Sequence, residues 1–291
     1  MRRDIRGKAV VVGFALLLGG ICMLLGGLVL SGCNPSNGTG GIVTKKKEST
    51  ASEREKRDVE KVTDAEAQQA RKQIELSIRA HGGDDNLSRM RNFLVAHQMG
   101  RSDVQGQSLP TEREWQIAFP ERIHLTMTVA NQAPWVVWCN DSGGWLHRGG
   151  ETSPLGEDIL AELRTQLYVF RFLTLRPLKN EEFVLKPLPD TTVQGRPAKA
   201  IKVMRKDQLQ VELDFDAQTN LLVRVFLRPK LADVVNLVDL QILLSDHKAF
   251  EGIQLPTHWT ETHDGHIVME FDNADYRFPL TISAKVFEKP E

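Results

Sequence analysis

Between Phe183 and Tyr276 the chain breaks into short alternating runs whose connections are too small to hold a crossover, and that spacing leaves one sheet geometry open. The runs are Phe183 to Leu188, Ala198 to Arg205, Gln208 to Asp216, Leu221 to Arg228, Val235 to Leu244, Gln254 to His263 and His266 to Tyr276. Gln194-Gly195, Arg205-Lys206-Asp207, Asp216-Ala217-Gln218-Thr219-Asn220 and Asp264-Gly265 separate several of them. These residue types tolerate the turn and left-handed conformations that close hairpins. Parallel neighbours need a connection of roughly a dozen residues or more, so strands joined this tightly pair antiparallel.

The same period of two begins earlier. Ile123, Leu125, Met127 and Val129 alternate with Arg122, His124, Thr126 and Thr128, as in a strand with one buried face. Trp115, Ile117 and Phe119 alternate just before them, with Pro120-Glu121 as the turn. Trp135 to Cys139 and Trp145 to Arg148 predict a further hairpin, closed by Asp141-Ser142-Gly143-Gly144.

Helices precede and interrupt the strands. Thr63-Asp64-Ala65-Glu66 has the pattern of a capping box, in which Thr63 accepts from the Glu66 amide and Glu66 reaches back. Ala67, Ala70, Ile74 and Ile78 follow at helical spacing, and Gly82-Gly83 supplies the left-handed stop. A second short helix near Asp85 to Asn92 presents Leu87 and Met90. A longer one from Gly156 to Arg176 carries Leu160, Leu163, Leu167 and Phe170 three and four residues apart, hence on one face, and Pro177 is its expected end. That face is predicted to cover the sheet on the side of Ile123, Leu125, Met127 and Val129. These eight residues are the candidate lining of an apolar cavity. A filled core built from the same residues is the alternative.

The first 33 residues belong to a different kind of argument. Arg2, Arg3, Arg6 and Lys8 precede an uncharged apolar stretch from Ala9 to Leu30, the pattern of an export signal. Leu30-Ser31-Gly32-Cys33 resembles the lipobox of bacterial lipoproteins. The resemblance implies cleavage between Gly32 and Cys33 and acylation of Cys33, which would tether the chain to a membrane. A plain transmembrane anchor is the competing reading, since roughly 20 apolar residues can span a bilayer. Asn34 favours the outer membrane over the inner if sorting follows the best-known rule, in which Asp at this position means retention. Residues 34–62 hold few large apolar side chains and are expected to form a disordered tether. The division expected is therefore 1–32 signal peptide, 33–62 lipidated cysteine and tether, and 63–291 folded domain.

Three stretches resemble one protein family. They are Ile78-Arg79-Ala80-His81-Gly82-Gly83 with Leu87, Met90 and Gly100; the Leu-rich helix ending Leu175-Arg176-Pro177-Leu178; and the tail Phe250-Glu251-Gly252-Ile253-Gln254-Leu255-Pro256 with Tyr276 and Phe287-Glu288-Lys289-Pro290. Together, over roughly Thr63 to Pro290, they are similar to outer-membrane lipoprotein-sorting-protein-like proteins of the LolA/LolB superfamily. The resemblance implies an α+β, mainly β fold: a curled antiparallel half-barrel of about ten or more strands. Helices would cover its concave face, enclosing a cavity for acyl chains. None of the family's gating residues can be placed on this sequence.

Chemistry is sparse. With 37 Lys and Arg against 38 Asp and Glu, there is no basic field calling for nucleic acid. Cys22 would leave with the signal and Cys33 would be acylated, so Cys139 is alone and expected to be a buried, inert thiol. His258, His263 and His266 are the nearest approach to a metal cluster. Their spacing is not that of a helical zinc site, and His263 and His266 flank a turn, where exposed polar residues are expected; Glu261 and Asp264 are taken as ordinary hairpin charge. There is no Gly-x-Ser-x-Gly elbow, phosphate-binding loop or dinucleotide fingerprint. No catalytic residue, metal or cofactor is assigned. The sequence points to a non-enzymatic binding protein of the envelope whose partners are a membrane, through Cys33, and lipid or lipoprotein acyl chains. A structural or sensory lipoprotein that binds another protein through the same fold remains the alternative.

Overall fold

The structure, a computed structural model, describes residues 61–206, 208–229, 231 and 236–289. The expected export signal, Cys33 and the expected tether up to residue 60 lie outside them. Three helices are described: α1 (Asp64–Ala80), α2 (Gly83–Leu87) and α3 (Glu157–Leu173). The strands are β1 (Phe93–Val104), β2 (Gln107–Ala118), β3 (Arg122–Val129), β4 (Trp135–Asn140), β5 (Gly143–Arg148) and β6 (Glu151–Pro154) before α3. After it come β7 (Val184–Pro187), β8 (Thr191–Val193), β9 (Arg196–Met204), β10 (Val211–Asp216), β11 (Leu222–Leu227), β12 (Leu240–Phe250), β13 (Ile253–His263) and β14 (His266–Arg277).

All 14 strands join one antiparallel sheet in the order β6-β5-β4-β3-β2-β1-β14-β13-β12-β11-β10-β9-β7, with β8 attached to β9. It is an open, curled sheet and not a closed barrel. Two meanders are thus sewn together along their first and last strands, β1 and β14. The seam runs from Val95 opposite Arg277 to Ser102 opposite Met269, with a bulge between Met99 and Gly100. A side chain at Gly100 would sit 2.0 Å from the Glu270 carbonyl oxygen, so the seam closes there only because Gly100 has none.

The tight turns are built as the residue types predict. Gln194-Gly195 and Asp264-Gly265 both have two consecutive positive φ angles, the geometry that matches strand twist. Two more hairpins use the same device at Gln105-Gly106 and Glu251-Gly252. The Thr63–Glu66 capping box forms, with the Thr63 amide donating to Glu66 Oε2 at 2.9 Å and the Glu66 amide to Thr63 Oγ1 at 3.3 Å. Ala70, Ile74, Ser77 and Ile78 make the buried face of α1, which packs on β7; Ala67 is only half-buried.

Several boundaries differ from expectation. β1, half of the central seam, was not anticipated, nor were the short strands β6 and β8. The strand expected over Val235 to Leu244 runs instead from Leu240 to Phe250. Helix α3 ends at Leu173, before Pro177 could stop it: Thr174 caps it and Leu175 turns left-handed at φ 54°. Pro177 lies in a following 3-10 turn, Arg176–Lys179. The second helix is one short turn, Gly83–Leu87, continued as a 3-10 turn, and it buries Leu87 and Met90 as expected.

Candidate functional site

Chain connectivity lays α3 across the sheet. It leaves β6 at one edge and leads to β7 at the other, so the segment between must cross a face. Seventeen residues make a rod of about 25 Å at 1.5 Å per residue. Near its start Leu160 presses on β5, where a Cβ on Gly144 would come within 2.4 Å of Leu160 Cδ2. Near its end Phe170 lies between two tryptophans from opposite sides of the seam. Its ring centroid is 5.2 Å from that of Trp115 on β2 and 5.7 Å from that of Trp259 on β13. Trp259 Nε1 donates to Tyr276 Oη at 2.8 Å, and Tyr276 Oη donates to the Pro256 carbonyl at 2.8 Å, which fixes the second indole.

All eight candidate lining residues lie in this region. Ile123, Leu125, Met127 and Val129 on β3, and Leu160, Leu163, Leu167 and Phe170 on α3, are buried in one continuous core, none more than 4% exposed. The opposite parity of β3 is more open, with Arg122 and Thr128 exposed and His124 and Thr126 half-buried. Burial lowers the pKa of His124. Cys139 is buried, and burial pushes its thiol pKa up, away from reactivity.

The same inner faces carry polar groups that sequence reasoning did not place there. Arg113 sits two residues before Trp115 on β2 and is buried with it. Its Nε donates to Gln98 Oε1 at 2.7 Å, and its guanidinium lies 4.1 Å over the Phe271 ring. Burial pulls its pKa down to about 10, opposed by the charge of Glu261. Glu261 sits two residues after Trp259 and is buried too, as are Glu162 and Gln166 on α3. Glu261 is therefore not ordinary hairpin charge. Nor is His263 an exposed turn residue: it is buried, with Nε2 3.0 Å from Glu261 Oε1. The signal for both lay in parity, since Glu261 and His263 stand two and four positions after the inward Trp259, and even steps along a regular strand share a face.

The three histidines considered for metal binding do not converge. His258 is on the other parity of β13, with Nε2 3.5 Å from Glu270 and Nδ1 3.4 Å from Asp272. One donor atom from each of these three residues falls within 4.8 Å of the others, but in the ion pairs the two carboxylates face different ring nitrogens.

A cleft of about 570 Å³ opens where α3 ends. It lies among α2, the turn between β2 and β3, and the 3-10 turn after α3. Leu87, Phe119, Pro120 and Pro177 give it apolar walls, and Arg91, Arg171, Arg176 and Lys179 give it cations.

No family model matches the chain. No curated protein matches it either. Among solved structures it is similar to an outer membrane lipoprotein-sorting protein domain from Vibrio parahaemolyticus, at 10% identity and a TM-score of 0.46 over 75% of this chain and 97% of that one. It is also similar to a LolA superfamily protein from Nitrosomonas europaea, at 9% identity and a TM-score of 0.49 over 76% and 97% of the two chains. A DUF1329 family protein from Desulfovibrio piger is similar at 15% identity and a TM-score of 0.47, over 75% and 97%.

Proposed function

We propose that this chain is a lipid-anchored, non-enzymatic protein of the cell envelope, held by Cys33 at the outer membrane, that takes acyl chains of lipid or lipoprotein between α3 and the concave face of the sheet. One observation carries the reading: one helix, connected to opposite edges of an open sheet, crosses that face. Such a strap is held by side-chain packing, so lifting it breaks no strand pairing. It would uncover Ile123, Leu125, Met127, Val129 and the apolar face of α3 together. Acyl chains would replace the lost contacts by burial alone, at about 25 cal/mol per Å².

The polar interior supports the same reading. A core built for stability alone gains little from burying Arg113, Glu261 and Glu162, because desolvation of charge is costly even when it is paired. A face that is uncovered at intervals keeps those groups hydrated when open.

Leu167→Asp tests the reading. A fluorescent fatty acid should bind the parent, and the variant should take it up at least roughly tenfold more weakly. If the parent takes up no fatty acid while the variant simply unfolds, the interior is only a core. The protein would then act by docking another protein through this fold. The anchor is tested apart from the cavity: Cys33→Ala should accumulate as an uncleaved precursor without fatty-acid label. Continued processing at Gly32 with continued labelling would refute it.

A further inference from the structure

The cleft at the end of α3 is charged beyond what its neighbours neutralise. Arg171 enters it from the last turn of α3, Arg176 and Lys179 from the 3-10 turn, and Arg91 from the segment leading into β1. Among the described residues, no acidic side chain lines it. Two carboxylates stand behind these cations, and each is shared. Asp84 lies 3.1 Å from Arg176 and 3.2 Å from Lys179; Glu182 lies 3.4 Å from Arg171 and 2.9 Å from Arg205. Arg91 is exposed and has no side-chain partner among the described residues. Five cations thus meet two carboxylates, an excess of three positive charges. The C-terminus of α3 offsets about half a charge of this.

The geometry points to a binding subsite for a phosphate ester, the head of an anionic amphiphile, in this cleft. Arginine forks match phosphate oxygens in pairs, and three of the four lining cations are arginines. Phe119 and Leu87 offer an apolar wall beside them, which suits a head that continues into hydrocarbon. The inference rests on the acyl-chain reading only for the source of the phosphate; the anion site itself depends on the cations alone.

Titration of the full-length protein with sn-glycerol 3-phosphate, which has a head and no acyl chain, isolates the cleft. Binding should weaken at least tenfold in Arg91→Glu and in Lys179→Gln, and should fall as salt is raised. Arg91→Glu changes an exposed, unpartnered side chain, so its melting temperature should match the parent's. Dihexanoylphosphatidylglycerol binding at least tenfold more tightly than inorganic phosphate supports a lipid headgroup as occupant. Equal binding of the two, still sensitive to Arg91→Glu, supports a soluble phosphate at the same site. The proposal is overturned if no phosphate probe binds, or if both variants bind as the parent does. A parallel fatty-acid titration keeps the two ideas apart. Uptake without phosphate binding leaves the acyl-chain reading standing alone, and phosphate binding without uptake leaves the cleft standing alone.

Discussion

Trp115→Ala should lower the melting temperature by about 6–20 °C and loosen α3 from the sheet. The indole is 1% exposed and lies under the strap, in contact with Phe170, beside the guanidinium of Arg113 at 5.4 Å. Truncating a buried aromatic residue costs about 3–5 kcal/mol, partly in lost transfer energy and partly in the cavity left behind. In a domain of this size each kcal/mol moves the melting temperature by roughly 2–4 °C. The location of the loss matters more than its size. Phe170 would keep its contact with Trp259 but lose the one with Trp115, so the strap would stay tied to the β13 side and come free on the β2 side. Hydrogen exchange should therefore quicken in α3 and stay slow along the β1–β14 seam. Uniform quickening across the sheet would mean that α3 and the strands open as one unit, and the strap picture would be wrong.

That α3 packs on the sheet is legible in the sequence, because Leu160, Leu163, Leu167 and Phe170 announce one apolar face and the inward parity of β3 announces its counterpart. What it covers was less legible. β1 supplies half of the seam, yet beyond Ala96 its inward positions are Gln98, Gly100 and Ser102, so the apolar alternation that marks a strand fades where the strand is most central. Gly100 is there for the close approach of β14, and Gln98 for Arg113; both are tertiary reasons, invisible to a local pattern. β6 failed for the opposite reason, since all four of its residues are exposed and no face is apolar. The polar interior was missed because a charge next to a turn is ordinarily solvated. Glu261 and His263 contradict that rule only because β13 runs inside the sheet between β12 and β14. The basic cleft is assembled from residues between Leu87 and Asn180, far apart in sequence, and no single stretch is basic enough to suggest it.

Mild acid should destabilise the protein, and the reason lies in one joint. His81 ends α1 and is buried against β11 and β13. Its Nδ1 lies 2.9 Å from the Ser77 carbonyl, its Nε2 receives the Leu222 amide at 3.4 Å, and its carbonyl accepts from the Gln254 amide at 3.0 Å. A ring that donates at Nδ1 and accepts at Nε2 is neutral; protonation would set Nε2–H against the Leu222 N–H. His247 packs edge-on against it at 6.0 Å between centroids. Burial pulls both pKa values down to about 4, and for His81 the nearness of His247 adds to the effect. Below an unfolded value near 6.5 the unfolded chain takes up these protons and the folded one does not, so stability falls from about pH 6.5 down to about pH 4 and is flat above. By pH 5 each histidine accounts for about 2 kcal/mol. Asp214 works the other way. Burial raises its pKa to about 6, so protonation of the folded state returns about 1 kcal/mol over the same interval. The net loss between pH 7 and pH 5 should be about 3 kcal/mol, read from urea midpoints at the two pH values. His247→Gln should remove close to half of the histidine contribution and leave the pH 7 midpoint near the parent's. Equal midpoints at pH 7 and pH 5 in the parent would show that the joint accepts a proton without strain, and the neutral-ring account of His81 would have to be abandoned.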